Sequence, residues 1–86
     1  MARMKHLEER QGRWYFVFGP EEGESFEAVL LQFKRRIPVS EREWHEDITR
    51  WSVAINEDNH AWMDALFPNF LSQLQAMKNQ LVLFTL

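Results

Sequence analysis

The strongest hydrophobic pattern in the chain is a run of aromatic and β-branched residues, Trp14–Phe18. These residue types favour extended backbone, so we predict a strand that ends at Gly19-Pro20. Both faces are apolar, which is typical of a central strand covered on both sides, or of a strand with one face free for contacts. The residues before it are mostly polar and charged. They predict a flexible segment over residues 1–13, or a frayed helical turn over Met4–Glu9.

A second pattern, with apolar residues at helical spacing, predicts a helix. Its apolar stripe consists of Phe26, Val29, Leu30, Phe33 and Ile37. Ser25 before it is a good N-cap residue, and residues 34–36 are all basic, which suits the negative end of the helix dipole. Pro38 ends the helix, because the residue before a proline disfavours helical backbone.

In the next segment apolar and polar residues alternate, which predicts a β-hairpin with strands near 42–45 and 50–55. In the second strand, Trp51, Val53 and Ile55 alternate with polar or small residues, a half-buried pattern. The connection has no Asn-Gly or Asp-Gly, so we expect a loop longer than two residues.

The last third of the chain has helical spacing. We predict a helix capped by Asp58 or Asn59, an interruption at Phe67-Pro68, and a second helical stripe as far as about Asn79. Residues 81–86 fit either a last strand or the end of that helix.

The order β-α-β-β-α, with a possible last β, predicts an α+β fold. We expect a small, mainly antiparallel sheet of three or four strands packed by two or three helices. Residues 1–13 would be a flexible N-terminal segment, and residues 14–86 a single domain. The predicted core contains Phe26, Val29, Leu30, Phe33, Ile37, Trp51, Val53, Trp62 and Leu66.

Composition sets limits on this picture. A chain of 86 residues allows one domain, with little margin of stability. Four Trp, seven Phe and one Tyr supply enough apolar surface for a core without disulfides, as the absence of cysteine requires. The N-terminus has no apolar stretch typical of a signal peptide, and no apolar run approaches the length of a membrane span. We therefore expect a cytoplasmic protein with no membrane partner.

The charge is distributed unevenly. Residues 1–50 hold nine Lys and Arg against ten acids, a net −1, and residues 51–86 hold one Lys against three acids, a net −2. Long-range attraction to phosphate is therefore weak, and nucleic-acid binding would need a local basic patch.

No catalytic motif is present. The serines lack a nucleophile-elbow context, and the three glycines fit no phosphate-binding loop. The set His45-Glu46-Asp47 is dense in possible metal ligands, but consecutive residues rarely supply a coordination geometry alone. We expect neither an enzyme nor a cofactor.

Basic residues beside aromatic ones are a more specific signal, since arginine pairs with phosphate and aromatic rings stack on bases. The candidate nucleic-acid-binding residues are Arg35, Arg36, Arg42, Trp44 and Arg50. A purely structural role is the alternative. In that case the tryptophans belong to the core, and the cations at the helix end stabilise the negative end of the helix dipole.

Residues 26–55 combine a helix ending in Ile37-Pro38, an aromatic at Trp44 and a second at Trp51. Over about residues 14–67 this order of elements resembles the HARP-like module, the small domain that accompanies annealing helicases. That family commonly has Asp-Pro after the first aromatic, where this chain has His45-Glu46. The resemblance implies a non-catalytic module that contacts DNA or RNA.

The alternative function is a protein-interaction or self-association domain. Its basis is the two-sided apolar strand at 14–18 and the apolar tail at 81–86, since either would be adhesive if exposed.

Overall fold

The computed structural model describes the backbone of residues 3–20 and 23–85, and the side chains of residues 3–20 and 23–79. It contains four strands and three helices in this part of the chain. The strands are β1 (Arg3–Arg10), β2 (Arg13–Gly19), β3 (Arg42–His45) and β4 (Arg50–Ala54), and the helices are α1 (Phe26–Arg36), α2 (Glu57–Leu66) and α3 (Phe70–Thr85).

The strands form one antiparallel sheet in the order β1-β2-β4-β3. All three helices place their buried side chains against one face of this sheet. We call that face the helix face and the other one the open face. The predicted α+β architecture is confirmed.

The N-terminal segment differs from the expectation, because residues 3–10 form a paired edge strand rather than a flexible segment or a helical turn. A bulge between Lys5 and Glu8, where His6 has φ 57°, lets both Met4 and Leu7 point into the core. This three-residue spacing hides the alternation by which a strand is recognised in sequence.

Strand β1 turns into β2 through two residues with positive φ, Gln11 at 51° and Gly12 at 75°. Positive φ at both central positions is the geometry of the two-residue turn that matches strand twist.

Strand β2 is central in the sheet, flanked by β1 and β4, so it offers no free edge. Its buried residues are Trp14, Phe16 and Phe18.

Helix α1 forms for the local reasons seen in the sequence. The Ser25 hydroxyl accepts a hydrogen bond from the Ala28 N–H at 3.1 Å. At the other end, the Ile37 N–H donates to the Phe33 carbonyl, and Pro38 follows. Phe33 and Ile37 are fully buried, as predicted, but Phe26 is 47% exposed. Phe26 lies on the first turn, where one ring face stacks on Phe18 and the rest meets solvent.

The predicted hairpin is confirmed, with a four-residue connection, 46–49, in place of a tight turn. His45 is opposite Arg50 and Trp44 is opposite Trp51. Helix α2 starts earlier than predicted. Its N-cap is Asn56, whose side chain accepts from the Asn59 N–H at 2.7 Å.

Asn59 itself is buried and donates from Nδ2 to the Ala54 carbonyl at 2.9 Å, so it is not the cap. Trp62, a predicted core residue, is 38% exposed, and the neighbouring Met63 takes the buried position. The two positions lie about 100° apart around a helix, and packing against the sheet decides which one faces inward.

The backbone of α3 is helical as far as Thr85, so the alternative of a last strand over 81–86 is not adopted there. The side chains of that segment, and Leu86, lie outside the described residues. The fourth strand comes from the N-terminus instead. Across the described residues, no helix is both long enough and apolar enough to cross a membrane.

Candidate nucleic-acid interface

The open face of the sheet carries two rows of cations on either side of a central ring. Register places Arg10 opposite Arg13 at one end, Glu8 and Ser52 opposite Tyr15 in the middle, and Lys5 opposite Val17 at the other end. These side chains share a face because directly opposed residues in an antiparallel sheet point the same way. The open-face cations among the described strand residues are Arg3, Lys5, Arg10, Arg13 and Arg50, and the acids among them are Glu8 and Glu43.

Tyr15 and His45 form the centre of this face. Their ring centroids are 5.1 Å apart at an interplanar angle of 38°, although they belong to β2 and β3, with β4 between them. The two rings meet above β4 because the β4 residue that lies between them, Ser52, has a small side chain. Ser52 is fully buried on a face that no described helix covers, since neighbouring side chains close over it.

Ser52 anchors two of these side chains. Arg13 donates from Nε to the Ser52 hydroxyl at 2.9 Å and from a terminal nitrogen to the Glu41 carbonyl at 3.2 Å. His45 Nε2 lies 2.7 Å from the same hydroxyl. The cation and the imidazole are therefore held in place before any ligand arrives.

Glu43, His45 and Ser52 also form a relay of the type found in serine hydrolases. The Glu43 carboxylate lies 3.2 Å from His45 Nδ1, and His45 Nε2 faces the hydroxyl. A nucleophile must reach its substrate, however, and the hydroxyl is buried and accepts a hydrogen bond from Arg13. In this arrangement the relay orients His45 rather than activating Ser52.

The two acids of the open face each have a local partner. The Arg10 guanidinium contacts the Glu8 carboxylate at 2.6 Å and lies 5.7 Å from the centroid of the Tyr15 ring. Glu43 faces His45. Five cations against two acids leave a formal charge of +3 among these side chains (5 − 2, His neutral), in a chain of net charge −3.

The structure divides the residues predicted from sequence between two sides of the sheet. Arg50 is on the open face. Arg42 and Trp44 are on the helix face, because they pair with the core-side residues Val53 and Trp51. The Arg42 guanidinium donates to the Ile37 carbonyl at 3.1 Å and so ties the hairpin to the end of α1.

Arg35 and Arg36 belong to the helix layer and are also separated from Arg50. Arg36 has its guanidinium carbon 5.0 Å from the centroid of the Trp62 ring. Arg36 and Trp62 line a surface groove of about 730 Å³ between α1 and α2. Of the five predicted residues, only Arg50 lies on the open face.

Sequence reasoning missed Arg3, Lys5, Arg10 and Arg13 as candidate binding residues. Arg13 and Tyr15 alternate with Trp14 and Phe16, and that alternation was the available signal. The β1 residues gave no such signal, because the bulge conceals their strand.

No group of three or more His, Asp or Glu side chains within the described residues is arranged to hold a metal ion. Comparisons with protein-family models, with curated proteins and with solved structures found no match to this chain. The resemblance to the HARP-like module stays a prediction.

Proposed function

We propose that this chain is a non-catalytic module that binds nucleic acid through the open face of its sheet. The observation that carries the proposal is the pair of cationic rows on either side of Tyr15. Arginine and lysine neutralise phosphates, and a ring between them offers a stacking surface for a base.

The position of the charge matters more than its total. A net charge of −3 repels phosphate at long range, so binding must come from the local field of the open face. Arg13 is suited to this role because its guanidinium is already fixed, which reduces the side-chain entropy lost on binding. Lys5 is exposed and Arg50 is half-buried, so both remain accessible to a ligand.

The test is a titration of single-stranded, duplex and forked DNA at two salt concentrations, with the double variant Lys5→Gln/Arg50→Gln. We expect micromolar or tighter binding at low salt that weakens as salt rises. For a single strand, each lost phosphate contact lowers the slope of log K against log salt by about 0.7.

The matched control is Arg35→Gln/Lys78→Gln, which removes the same charge from exposed positions in the helix layer. It should retain the salt slope of the unmodified chain. Absence of binding at low salt, or equal losses in the two double variants, would contradict the proposal.

A second candidate function is self-association along the free edge of β3. Trp44 is 43% exposed beside this edge, and Ile48 in the adjoining turn is 42% exposed. Exposed apolar side chains next to unpaired strand backbone favour edge-to-edge pairing. Sedimentation equilibrium over a wide concentration range tests it, and a strict monomer at the highest concentration excludes it.

A further inference from the structure

Resting on the proposed function, we infer that the ligand is single-stranded and that an unpaired base stacks on the rings of Tyr15 and His45. The inference concerns the class of nucleic acid and the position of the base, neither of which follows from the cations alone.

The rings are preorganised for stacking once the exposed Arg10 guanidinium, which lies 5.7 Å from the Tyr15 ring centroid, turns away toward a phosphate. Tyr15 is half-buried at the centre of the sheet, and His45 has 19% of its side-chain surface exposed. His45 is fixed through both ring nitrogens, by Glu43 at 3.2 Å and by Ser52 at 2.7 Å. A fixed ring loses little entropy when a base is added to it.

The shape of the surface excludes a duplex from making this contact. Four strands spaced by about 4.8 Å span roughly 14 Å between the outer strands, wider than the roughly 12 Å of a major groove. Paired bases are stacked inside a duplex and present only their edges. A duplex could therefore touch the cations but not the rings, whereas a single strand can turn a base flat onto them.

The cations are placed to hold a backbone on both sides of such a base. Arg13 and Val17 are four residues apart along β2, so the rows through them are separated by about 13 Å. Lys5 lies in the row of Val17, and Arg10 in the row of Arg13. Tyr15 lies midway, which places the stacked base between two phosphate contacts.

The experiment measures the affinity of one oligonucleotide of about 12 nucleotides, a length within single-strand site sizes, both alone and annealed to its complement. Tyr15→Leu removes the ring and keeps an apolar side chain, and Tyr15→Phe keeps the ring. We expect single-strand affinity to fall at least about fivefold in the leucine variant, the lower end of what a base–aromatic stack contributes, and to persist in the phenylalanine variant.

A second readout needs no variant. With 2-aminopurine at one position of the strand, stacking on the rings should quench its fluorescence on binding, so the result does not depend on how Tyr15→Leu folds. An unquenched probe moved through every position would overturn the stacking.

The failures of the two proposals can be told apart. Equal affinity for duplex and single strand, with the Lys5 and Arg50 dependence intact, would overturn the inference and leave the proposed function standing. Absence of binding to either form at low salt would overturn both.

Discussion

His45 and Ser52 are joined across neighbouring strands although they are not opposite each other in register. His45 is opposite Arg50, yet its Nε2 lies 2.7 Å from the Ser52 hydroxyl. The imidazole therefore leans diagonally along the sheet toward Tyr15. Through this contact Tyr15, His45 and Ser52, which belong to three different strands, form one preorganised surface.

The first prediction concerns the Ser52 hydroxyl, which contacts both Arg13 and His45. Ser52→Ala should lower the free energy of unfolding by about 1–3 kcal/mol, because Arg13 Nε and His45 Nε2 lose a shared partner in a partly buried setting. Urea denaturation followed by tryptophan fluorescence measures the change. Ser40→Ala, at an exposed turn position, should stay within about 0.5 kcal/mol of the unmodified chain. A similar small change in Ser52→Ala would show that the hydroxyl does not hold the two side chains.

A second prediction concerns the attachment of β1. Asn69 accepts from the Met4 N–H at 3.0 Å and donates to the Met4 carbonyl at 2.9 Å, so its amide pairs with the strand backbone. Asn69→Ala should cost about 1–3 kcal/mol and should speed amide hydrogen exchange in β1 more than in β2.

The control for Asn69 is Asn79→Ala, which removes an exposed amide from α3. It should leave exchange in β1 unchanged. Uniform acceleration over β1 and β2 in Asn69→Ala would argue against a local role for this pairing.

A third prediction separates two phenylalanines of the same helical stripe. Phe33 is fully buried and makes edge-on contacts with Phe16 and Trp51, whereas Phe26 is 47% exposed. Phe33→Ala should cost about 3–5 kcal/mol, enough to unfold much of so small a domain. Phe26→Ala should cost less than half as much in thermal and urea unfolding. Equal losses would mean that Phe26 is as buried as the sequence pattern indicates.

The sequence predicted those parts of the fold that local signals determine. Helix α1 has its cap at Ser25 and its terminator at Pro38, and both act within a few residues. The position of β1 depends on a bulge and on pairing with β2, so its residues carried no recognisable alternation. Trp62 and Met63 show the same limit, because tertiary packing selects which neighbour is buried.

The candidate site was harder to predict because it depends on register. Arg42, Trp44 and Arg50 are close in the sequence of one hairpin, which suggested one patch. The four-residue connection pairs His45 with Arg50, and this register puts Arg42 and Trp44 on the opposite face. Only the paired strands show that Arg50 shares its face with Arg13 and Tyr15.

The last prediction compares the two aromatic candidates directly. Trp44 packs on Trp51 at 5.4 Å on the helix face, so Trp44→Ala should leave single-strand affinity within about twofold of the unmodified chain, less than a stacked base contributes. Tyr15→Leu, measured in the same anisotropy titration, should lower it at least about fivefold. The comparison is matched, because each variant removes one partly exposed aromatic from the sheet. A greater loss in Trp44→Ala than in Tyr15→Leu would move the binding surface to the helix face. An unchanged affinity in Trp44→Ala, with reduced self-association at high concentration, would instead assign Trp44 to contacts between copies of this chain.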